Sequence, residues 1–157
     1  MSDTKQTGVA EMVETMGVWF SSIGAQRSTG QIFGYLATCD PPEQSASEIA
    51  EGIGMSRASV SSGARMLIQL QAIEERHRVG DRKTYYRLRH GWWVQAATTK
   101  MAGFDRLADE ARRIRAAGSV TRTDGLDELI EVSEFWGEEI PKLRDKWLQR
   151  LTEKEGR

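Results

Sequence analysis

Two short helical segments, each opened by a serine, stand directly before a basic hairpin. The first segment begins with Ser45–Glu48, a capping box in which the serine oxygen accepts a free backbone N–H and the glutamate reaches back to the cap. The second begins after Ser56 and repeats its apolar residues at helical spacing. Residues 73–78 and 83–89 then change to an extended period around a turn-prone centre. This order of elements predicts a winged helix-turn-helix.

Helical periodicity also precedes this module. A first helix is predicted from an apolar stripe at alternating three- and four-residue spacing, formed by Val9, Met12, Met16, Trp19 and Ile23. A second helix is expected from about Arg27 to Thr38, and its inward residues are Ile32, Phe33 and Leu36. Pro41 and Pro42 stop it, because proline cannot continue a hydrogen-bonded helix.

After the hairpin, a helix is expected from about Gly91 to Ala117. The last helix carries a 3.5-residue repeat formed by Leu126, Leu129, Ser133, Trp136, Ile140, Leu143 and Trp147. Such a repeat is typical of a coiled-coil-like contact, and Pro141 is expected to kink the helix or loosen one turn.

These patterns together predict a mainly α fold, a winged helix-turn-helix with a small β-hairpin wing and terminal dimerisation helices. Residues 1–25 are expected to form an N-terminal helix that contributes to the dimer. Residues 26–90 are expected to form the DNA-binding domain, and residues 91–157 the C-terminal dimerisation helices.

The charge of the chain is unevenly distributed. The 157 residues include 22 Lys and Arg against 23 Asp and Glu, a net charge of −1. Residues 56–90 nevertheless hold eight basic and three acidic side chains, a charge of +5, whereas residues 1–55 sum to −5. Positive charge is therefore concentrated on the second capped helix and the hairpin, where it could neutralise phosphates. The alternative is that these are only solvated faces.

The second capped helix has the composition of a recognition helix. If Val60, Ala64, Leu67 and Leu70 lie on its buried side, short or hydrogen-bonding residues face outward. Arg65 could then bind guanine, Gln69 could pair with adenine, and Ala58 could contact a thymine methyl group. The candidate DNA-binding residues are Arg57, Ala58, Ser59, Ser61, Ser62, Arg65 and Gln69 on this helix and Arg76, Arg78, Arg82 and Lys83 on the hairpin.

Three segments resemble GbsR-like regulators, a branch near the MarR regulators. Arg27–Leu36 is similar to the stretch before their helix-turn-helix, Met55–Ser61 to the start of their recognition helix, and Gly80–Tyr86 to their wing. The resemblance covers roughly residues 8–150. It implies a homodimeric bacterial transcription factor, commonly a repressor, whose terminal helices make the dimer. The two-fold symmetry of such a dimer predicts a pseudo-palindromic DNA site. The resemblance also implies that Arg82 enters a minor groove from the wing tip.

Tryptophans are candidates for an effector site. A tryptophan face can hold a quaternary ammonium group, and the resemblance links some relatives to choline and glycine betaine. A ligand pocket between the DNA-binding and dimer helices would draw on Trp19, Trp92, Trp93 and Trp136. The alternative is that these side chains are ordinary core and dimer packing, since Trp93 and Trp136 fall on helical stripes.

The remaining reactive residues give little support to catalysis. Cys39 is the one cysteine, which favours a cytoplasmic location, and we interpret it as a small structural thiol, not a redox sensor. Two histidines and one cysteine are too few for a structural zinc site, and no phosphate loop or nucleophile motif occurs, so we expect neither an enzyme nor a cofactor. Gly30 and Gly34 predict close helix packing, not a nucleotide-binding loop. The chain shows neither a leader nor an apolar run of membrane-spanning length.

The sequence favours a ligand-responsive regulator that binds double-stranded DNA. The main alternative is a winged helix that docks a protein partner and does not bind DNA. An RNA-binding role is less favoured, because the hairpin lacks the paired stacking aromatics of common RNA-binding modules.

Overall fold

The computed structural model describes the backbone of residues 2–155 and the side chains of residues 6–99 and 104–154. In chain order, the elements are α1 (Ser2–Ser22), α2 (Arg27–Thr38), β1 (Gln44–Ser45), α3 (Ala46–Ile53), α4 (Arg57–Gln69), β2 (Ile73–His77), β3 (Thr84–Leu88), α5 (Trp92–Ala116) and α6 (Asp124–Glu155). They form two compact units, Met1–Trp92 and Trp93–Arg157. A mainly helical fold with one small antiparallel sheet confirms the predicted winged helix-turn-helix. Within the described residues, none of the helices is long and apolar enough to cross a membrane.

Helix α2 lies at the centre of the first unit and packs against α1, α3, α4 and β3. Its bounds are those predicted from the sequence. Ile32, Phe33 and Leu36 are buried, as predicted, with at most 3% of their surface exposed. Burying side chains of this size stabilises the fold by about 1.5–3 kcal/mol each, so α2 supplies much of the core.

Glycines allow the neighbouring helices to approach α2 closely. A Cβ atom on Gly30 would lie 2.2 Å from the carbonyl oxygen of Met16, and one on Gly34 would lie 2.7 Å from that of Met12. On α4, a Cβ atom on Gly63 would lie 2.4 Å from Cδ1 of Ile32. The prediction of close helix packing at Gly30 and Gly34 is confirmed.

The buried face of α1 coincides only in part with the apolar stripe seen in the sequence. The structure buries Val13, Met16 and Phe20, whereas Met12, Trp19 and Ile23 of the predicted stripe are exposed. The backbone of α1 meets Gly30 and Gly34 of α2 along one line, and this contact turns the face containing Val13 and Phe20 inward. Of the stripe identified from helical spacing, Met16 is buried and Val9 is half-buried, so only part of that stripe faces the core of this unit.

The wing is a three-stranded antiparallel sheet in the order β1-β3-β2. Strands β2 and β3 form the predicted hairpin. The two-residue strand β1, which is too short to show a period, pairs Ser45 with Tyr85. Tyr85 is buried, whereas Tyr86 and Leu88, which were predicted to face inward, are half-buried. The face of β3 that carries Tyr85, and not the face that carries Tyr86 and Leu88, is therefore the more buried one.

The second unit consists of α5 and α6. Its small core contains Ala108, Ala111 and Ile130, with Leu126 and Leu129 packed against it. The Ser133 hydroxyl, the polar member of the predicted repeat, is buried and donates to Asp105 Oδ1 at 2.8 Å. Farther along the repeat, Leu143 and Trp147 are exposed, so only part of the repeat is buried within this unit. Pro141 lies inside α6, which is one continuous helix from Asp124 to Glu155.

Gly30→Ala should destabilise the first unit by about 1–3 kcal/mol, because the added methyl group overlaps the backbone of α1. The free energy of unfolding from urea denaturation, followed by circular dichroism, measures this effect. Gly8→Ala is the matched control on α1, where a Cβ atom meets nothing within 4 Å. This control should gain up to about 1 kcal/mol from helix propensity. Equal stability of the two variants would contradict the packing argument.

Candidate nucleic-acid interface

The two helices of the helix-turn-helix are fixed at their N-termini by serine caps. The Oγ atom of Ser45 accepts the backbone N–H of Glu48 at 3.4 Å, and Glu48 Oε2 accepts the backbone N–H of Ser45 at 2.6 Å. These hydrogen bonds lower the pKa of Glu48 below its ordinary value. Helix α3 ends at Gly54 in the left-handed conformation, and the Oγ atom of Ser56 accepts the N–H of Ser59 at 3.1 Å. The predicted capping box and both caps are confirmed.

Helix α4 has one buried face and one exposed face. Val60, Ala64 and Leu67 are at most 1% exposed, as predicted. Leu70 was also predicted inward but is exposed, because α4 ends at Gln69 and Leu70 is the residue that follows it. The exposed face carries Ala58, Ser61, Ser62, Arg65 and Gln69. Within the first unit, nothing described covers this face, so it is accessible to a DNA groove.

Among the polar side chains of α4, Arg57, Ser59 and Arg65 differ in how firmly hydrogen bonds hold them. The Arg57 guanidinium donates to the hydroxyl of Ser47 on α3. The Ser59 hydroxyl lies 2.8 Å from Ser56 Oγ and is engaged in the cap. Arg65 Nε donates to the Ser61 carbonyl at 3.4 Å, and its guanidinium has no acidic partner among the described side chains. Arg65 is therefore the cation of α4 with the greatest freedom to reach a base.

Arg76 and Arg87 on the strands of the wing, and Arg78 just after β2, have acidic partners within the unit. Arg76 and Arg87 each donate to Glu74 Oε1 at 2.7 Å, which lowers the pKa of Glu74 below its ordinary value, with Arg87 contributing most. Arg78 lies 3.5 Å from Glu43. Sequence reasoning counted Arg76 and Arg78 as free cations. The hairpin register places Glu74 opposite Arg87, so the sequence pattern could have predicted the ion pair between these two residues. No local pattern joins Glu43 to the wing.

The wing tip is built around Asp81. Its Oδ1 atom accepts the backbone N–H of Lys83 at 2.9 Å, and its Oδ2 atom accepts the Tyr85 hydroxyl at 2.7 Å. Both bonds lower the pKa of Asp81, and the bond to Asp81 raises the pKa of Tyr85. The exposed Arg82 makes no side-chain hydrogen bond or ion pair with any residue that the structure describes. Arg82 thus combines exposure with an uncompensated charge.

The four candidate tryptophans do not form one cluster in either unit. Trp92 is buried in the first unit, where its ring lies 4.6 Å from that of Phe33 and its Nε1 donates to the Leu70 carbonyl at 3.3 Å. Trp92 is therefore a core residue of the first unit. Trp19 belongs to the same unit and packs edge-to-face on Phe20 at 5.3 Å.

Trp93 and Trp136 belong to the second unit, where they line a cavity of about 600 Å³ between α5 and α6. Trp147, absent from the sequence-based set of candidates, lines the same cavity and was visible only as part of the helical repeat. The lining residues are Trp93, Val94, Ala97, Thr98, Trp136, Ile140, Leu143, Arg144 and Trp147. The wall of this cavity is apolar except for the Thr98 hydroxyl and the Arg144 guanidinium.

The single cysteine and the possible metal ligands are the remaining candidate sites. Cys39 is half-buried, and burial raises the pKa of its thiol above the ordinary value. In the ranges described, no three His, Cys, Asp or Glu side chains come close enough to hold a metal ion.

Comparisons with known proteins agree with this geometry. The family model of the IclR helix-turn-helix domain matches residues 29–77. The chain is similar to the HTH-type transcriptional regulator MmpR5 of Mycobacterium tuberculosis, with 32% identity over 148 residues that cover 92% of this chain and 90% of that protein. It is also similar to a solved structure described as the crystal structure of a transcriptional regulator. That match has a TM-score of 0.74 and 32% identity, and it covers 90% of this chain and 98% of the other.

Proposed function

The chain belongs to the family of HTH-type transcriptional regulators that includes MmpR5, and from this premise we propose that it is a homodimeric repressor that responds to a ligand. Two copies of α4 would enter successive major grooves, about 34–36 Å apart, on a pseudo-palindromic DNA site. Occupation of a promoter by such a dimer blocks transcription. A ligand would relieve repression only by binding one spacing of the two α4 helices better than the other.

One observation carries the DNA-binding proposal: the exposed face of α4 consists of short and hydrogen-bonding residues apart from Met66, while the opposite face is buried in the core. A helix in a major groove needs small side chains for close approach and a few donors that reach base edges. Ala58, Ser61 and Ser62 satisfy the first need, and Arg65 and Gln69 satisfy the second.

The individual side chains take different roles in this proposal. Arg65 would read guanine, Gln69 adenine, and Ala58 a thymine methyl group. Arg57, held by Ser47, would contact a phosphate at the start of α4. The remaining candidates on α4, Ser59, Ser61 and Ser62, would lie against the DNA backbone or the groove floor.

The wing would add contacts outside the major groove. Arg82 would enter the minor groove, whose negative potential attracts arginine, and Lys83 would contact phosphate. Arg76 and Arg78 would contribute after exchanging an acidic partner for a phosphate. Such an exchange costs little free energy, because an exposed ion pair stabilises the fold by only about 0–1 kcal/mol.

Arg82→Ala should weaken binding to every duplex roughly tenfold and reduce the slope of log affinity against log salt by about 0.9. DNA fragments selected from the source genome and a random duplex, both followed by fluorescence anisotropy across a salt titration, provide the measurement. Arg113→Ala is the matched control, since this exposed arginine of the second unit is paired with Glu110. An unchanged affinity for Arg82→Ala would refute the wing contact. If the wild-type protein bound no duplex at low salt, a protein-docking role would be favoured.

The proposed domain organisation assigns dimerisation to residues 1–25 and 91–157, on both sides of the DNA-binding residues 26–90. It is supported by apolar side chains that each unit leaves exposed. On α1 and just after it these are Met12, Val18, Trp19 and Ile23, and on α5 and α6 they are Trp93, Phe104, Leu107, Val132, Phe135, Leu143, Trp147 and Leu148. Extended apolar surface of this kind is uncommon on a monomer and typical of an interface.

Leu143→Glu should shift the protein from dimer to monomer, because a charge would be buried in the apolar contact. Sedimentation equilibrium measures the mass, and circular dichroism verifies that the helices remain. Val120→Glu, in the exposed loop between α5 and α6, is the matched control and should stay dimeric. A Leu143→Glu variant with the wild-type mass would show that this part of α6 lies outside the interface.

We propose glycine betaine as the effector. Its site would be the cavity of the second unit, whose lining residues Trp93, Leu143 and Trp147 also belong to the proposed dimer interface. Trp93, Trp136 and Trp147 offer aromatic faces for a quaternary ammonium group, and Arg144 offers a guanidinium for the carboxylate. Choline, which has the ammonium group without the carboxylate, would use only part of this chemistry. Trp19 and Trp92 have no role in this form of the proposal.

Glycine betaine should therefore change the tryptophan fluorescence saturably and at lower concentration than choline. Arg144→Gln should remove the preference for betaine over choline, since only the carboxylate contact is lost. Arg150→Gln, farther along α6, is the control and should retain the preference. A flat fluorescence response to both compounds would eliminate this effector class.

We further propose that the chain lies on the GbsR-like branch near the MarR regulators. The similarity of Arg27–Leu36, Met55–Ser61 and Gly80–Tyr86 to that branch supports this placement. The family match at residues 29–77 supports the helix-turn-helix without the branch.

A further inference from the structure

We infer that Tyr85 and Asp81 are positioning residues for DNA binding, which hold the backbone of Arg82 in the conformation that presents its side chain to the minor groove. The inference rests on the proposed function, because it assigns a role to Arg82 there. Neither Tyr85 nor Asp81 touches DNA in this scheme. Both act through the shape of the loop between β2 and β3.

The loop is closed by hydrogen bonds on both sides of Arg82. The backbone N–H of Asp81 donates to the carbonyl oxygen of Arg78 at 3.1 Å, and Gly80 supplies the positive φ of 83° that this turn requires. Asp81 Oδ1 then accepts the backbone N–H of Lys83. Arg82 therefore lies between the residue that accepts this hydrogen bond and the residue that donates it. The backbone at Arg82 is therefore constrained, although its side chain has no partner among the described residues.

The second carboxylate oxygen of Asp81 connects this turn to the core. Oδ2 accepts the Tyr85 hydroxyl at 2.7 Å, and Tyr85 itself is only 6% exposed. The guanidinium of Arg78 lies 3.9 Å from the centre of the Tyr85 ring, on which it stacks, and it is also held by Glu43. The Tyr85 ring cannot move without disturbing these contacts, so its hydroxyl is a fixed donor for the turn.

Tyr85 also joins the wing to the helix-turn-helix. Its register partner in β1 is Ser45, and Ser45 is the residue that caps α3. A continuous series of bonds therefore runs from the α3 cap through β1 and Tyr85 to Asp81 and the wing tip. This series gives Arg82 a defined position relative to the helix-turn-helix within the first unit.

Fixing the loop before DNA arrives should increase affinity, because less conformational entropy is lost on binding. A long arginine side chain already loses rotamer freedom in a groove, and a disordered loop would add the cost of ordering its backbone. The neighbouring Tyr86 provides a natural contrast. It is half-buried, and its hydroxyl makes no hydrogen bond within the part of the chain that the structure describes.

A double-mutant cycle tests the inference on the full-length protein with the selected DNA fragment. Tyr85→Phe keeps the ring but removes the hydroxyl, and it should weaken binding by about 3–10-fold. In the Arg82→Ala background the same change should alter affinity by less than about twofold, because its effect passes through Arg82. Tyr86→Phe is the matched control and should leave affinity unchanged in both backgrounds. Urea denaturation of every variant separates positioning from loss of stability.

The outcomes separate this inference from the proposed function. If Arg82→Ala weakens binding but Tyr85→Phe does not, the positioning role is overturned and the DNA-binding proposal stands. If Tyr85→Phe weakens binding equally with and without Arg82, Tyr85 supports the wing in general, and the inference is overturned. If Arg82→Ala has no effect, the wing contact itself fails and this inference fails with it. Dependence of the Tyr85→Phe effect on Arg82 supports it.

Discussion

The close approach of helices to α2 is the constraint on which the first unit depends. At Gly30, Gly34 and Gly63, any side chain would overlap an atom of a neighbouring helix. Close packing of this kind fixes the separation of the helices as well as their contact, because an added methylene forces a shift of backbone. With α4 locked to α2 through Gly63 and the buried Val60, its opposite face has a fixed orientation within the unit. The recognition surface is thus a consequence of how the core packs.

Features that depend on local chemistry could be predicted from the sequence. The serine caps, the bounds of α2 and the hairpin follow from hydrogen bonds or backbone preferences within a few residues. Features that depend on residues far apart could not. Strand β1 forms by pairing with β3, where Ser45 lies opposite Tyr85. The charge of Arg78 is partly compensated by the nearby carboxylate of Glu43. Neither pairing has a local signature, although both determine how the wing is held.

The electrostatic effect of the wing depends on how its charges are arranged as well as on their sum. A count over residues 56–90 gives +5, which suggests a uniformly basic surface. The structure instead pairs the strand arginines with Glu43 and Glu74 and leaves the guanidinium of Arg82 unpaired among the described residues. Charge at the tip is therefore more effective than the count implies, and charge along the strands is less effective. Electrostatic attraction should consequently depend on a few positions, not on the total.

The exposed part of the apolar stripe on α1 also has a physical meaning. Met12, Trp19 and Ile23 form an apolar stripe that is displaced by roughly one residue step of 100° from the buried face of Val13 and Phe20. A helix with two adjacent apolar faces can cover only one of them on α2, and the glycine contacts select which. The regular spacing of the other face needs a different explanation, since isolated exposed apolar residues would show no helical period. A second copy of the chain is the partner that our dimer proposal supplies. On that view, periodicity correctly identified a buried face but not the molecule that buries it.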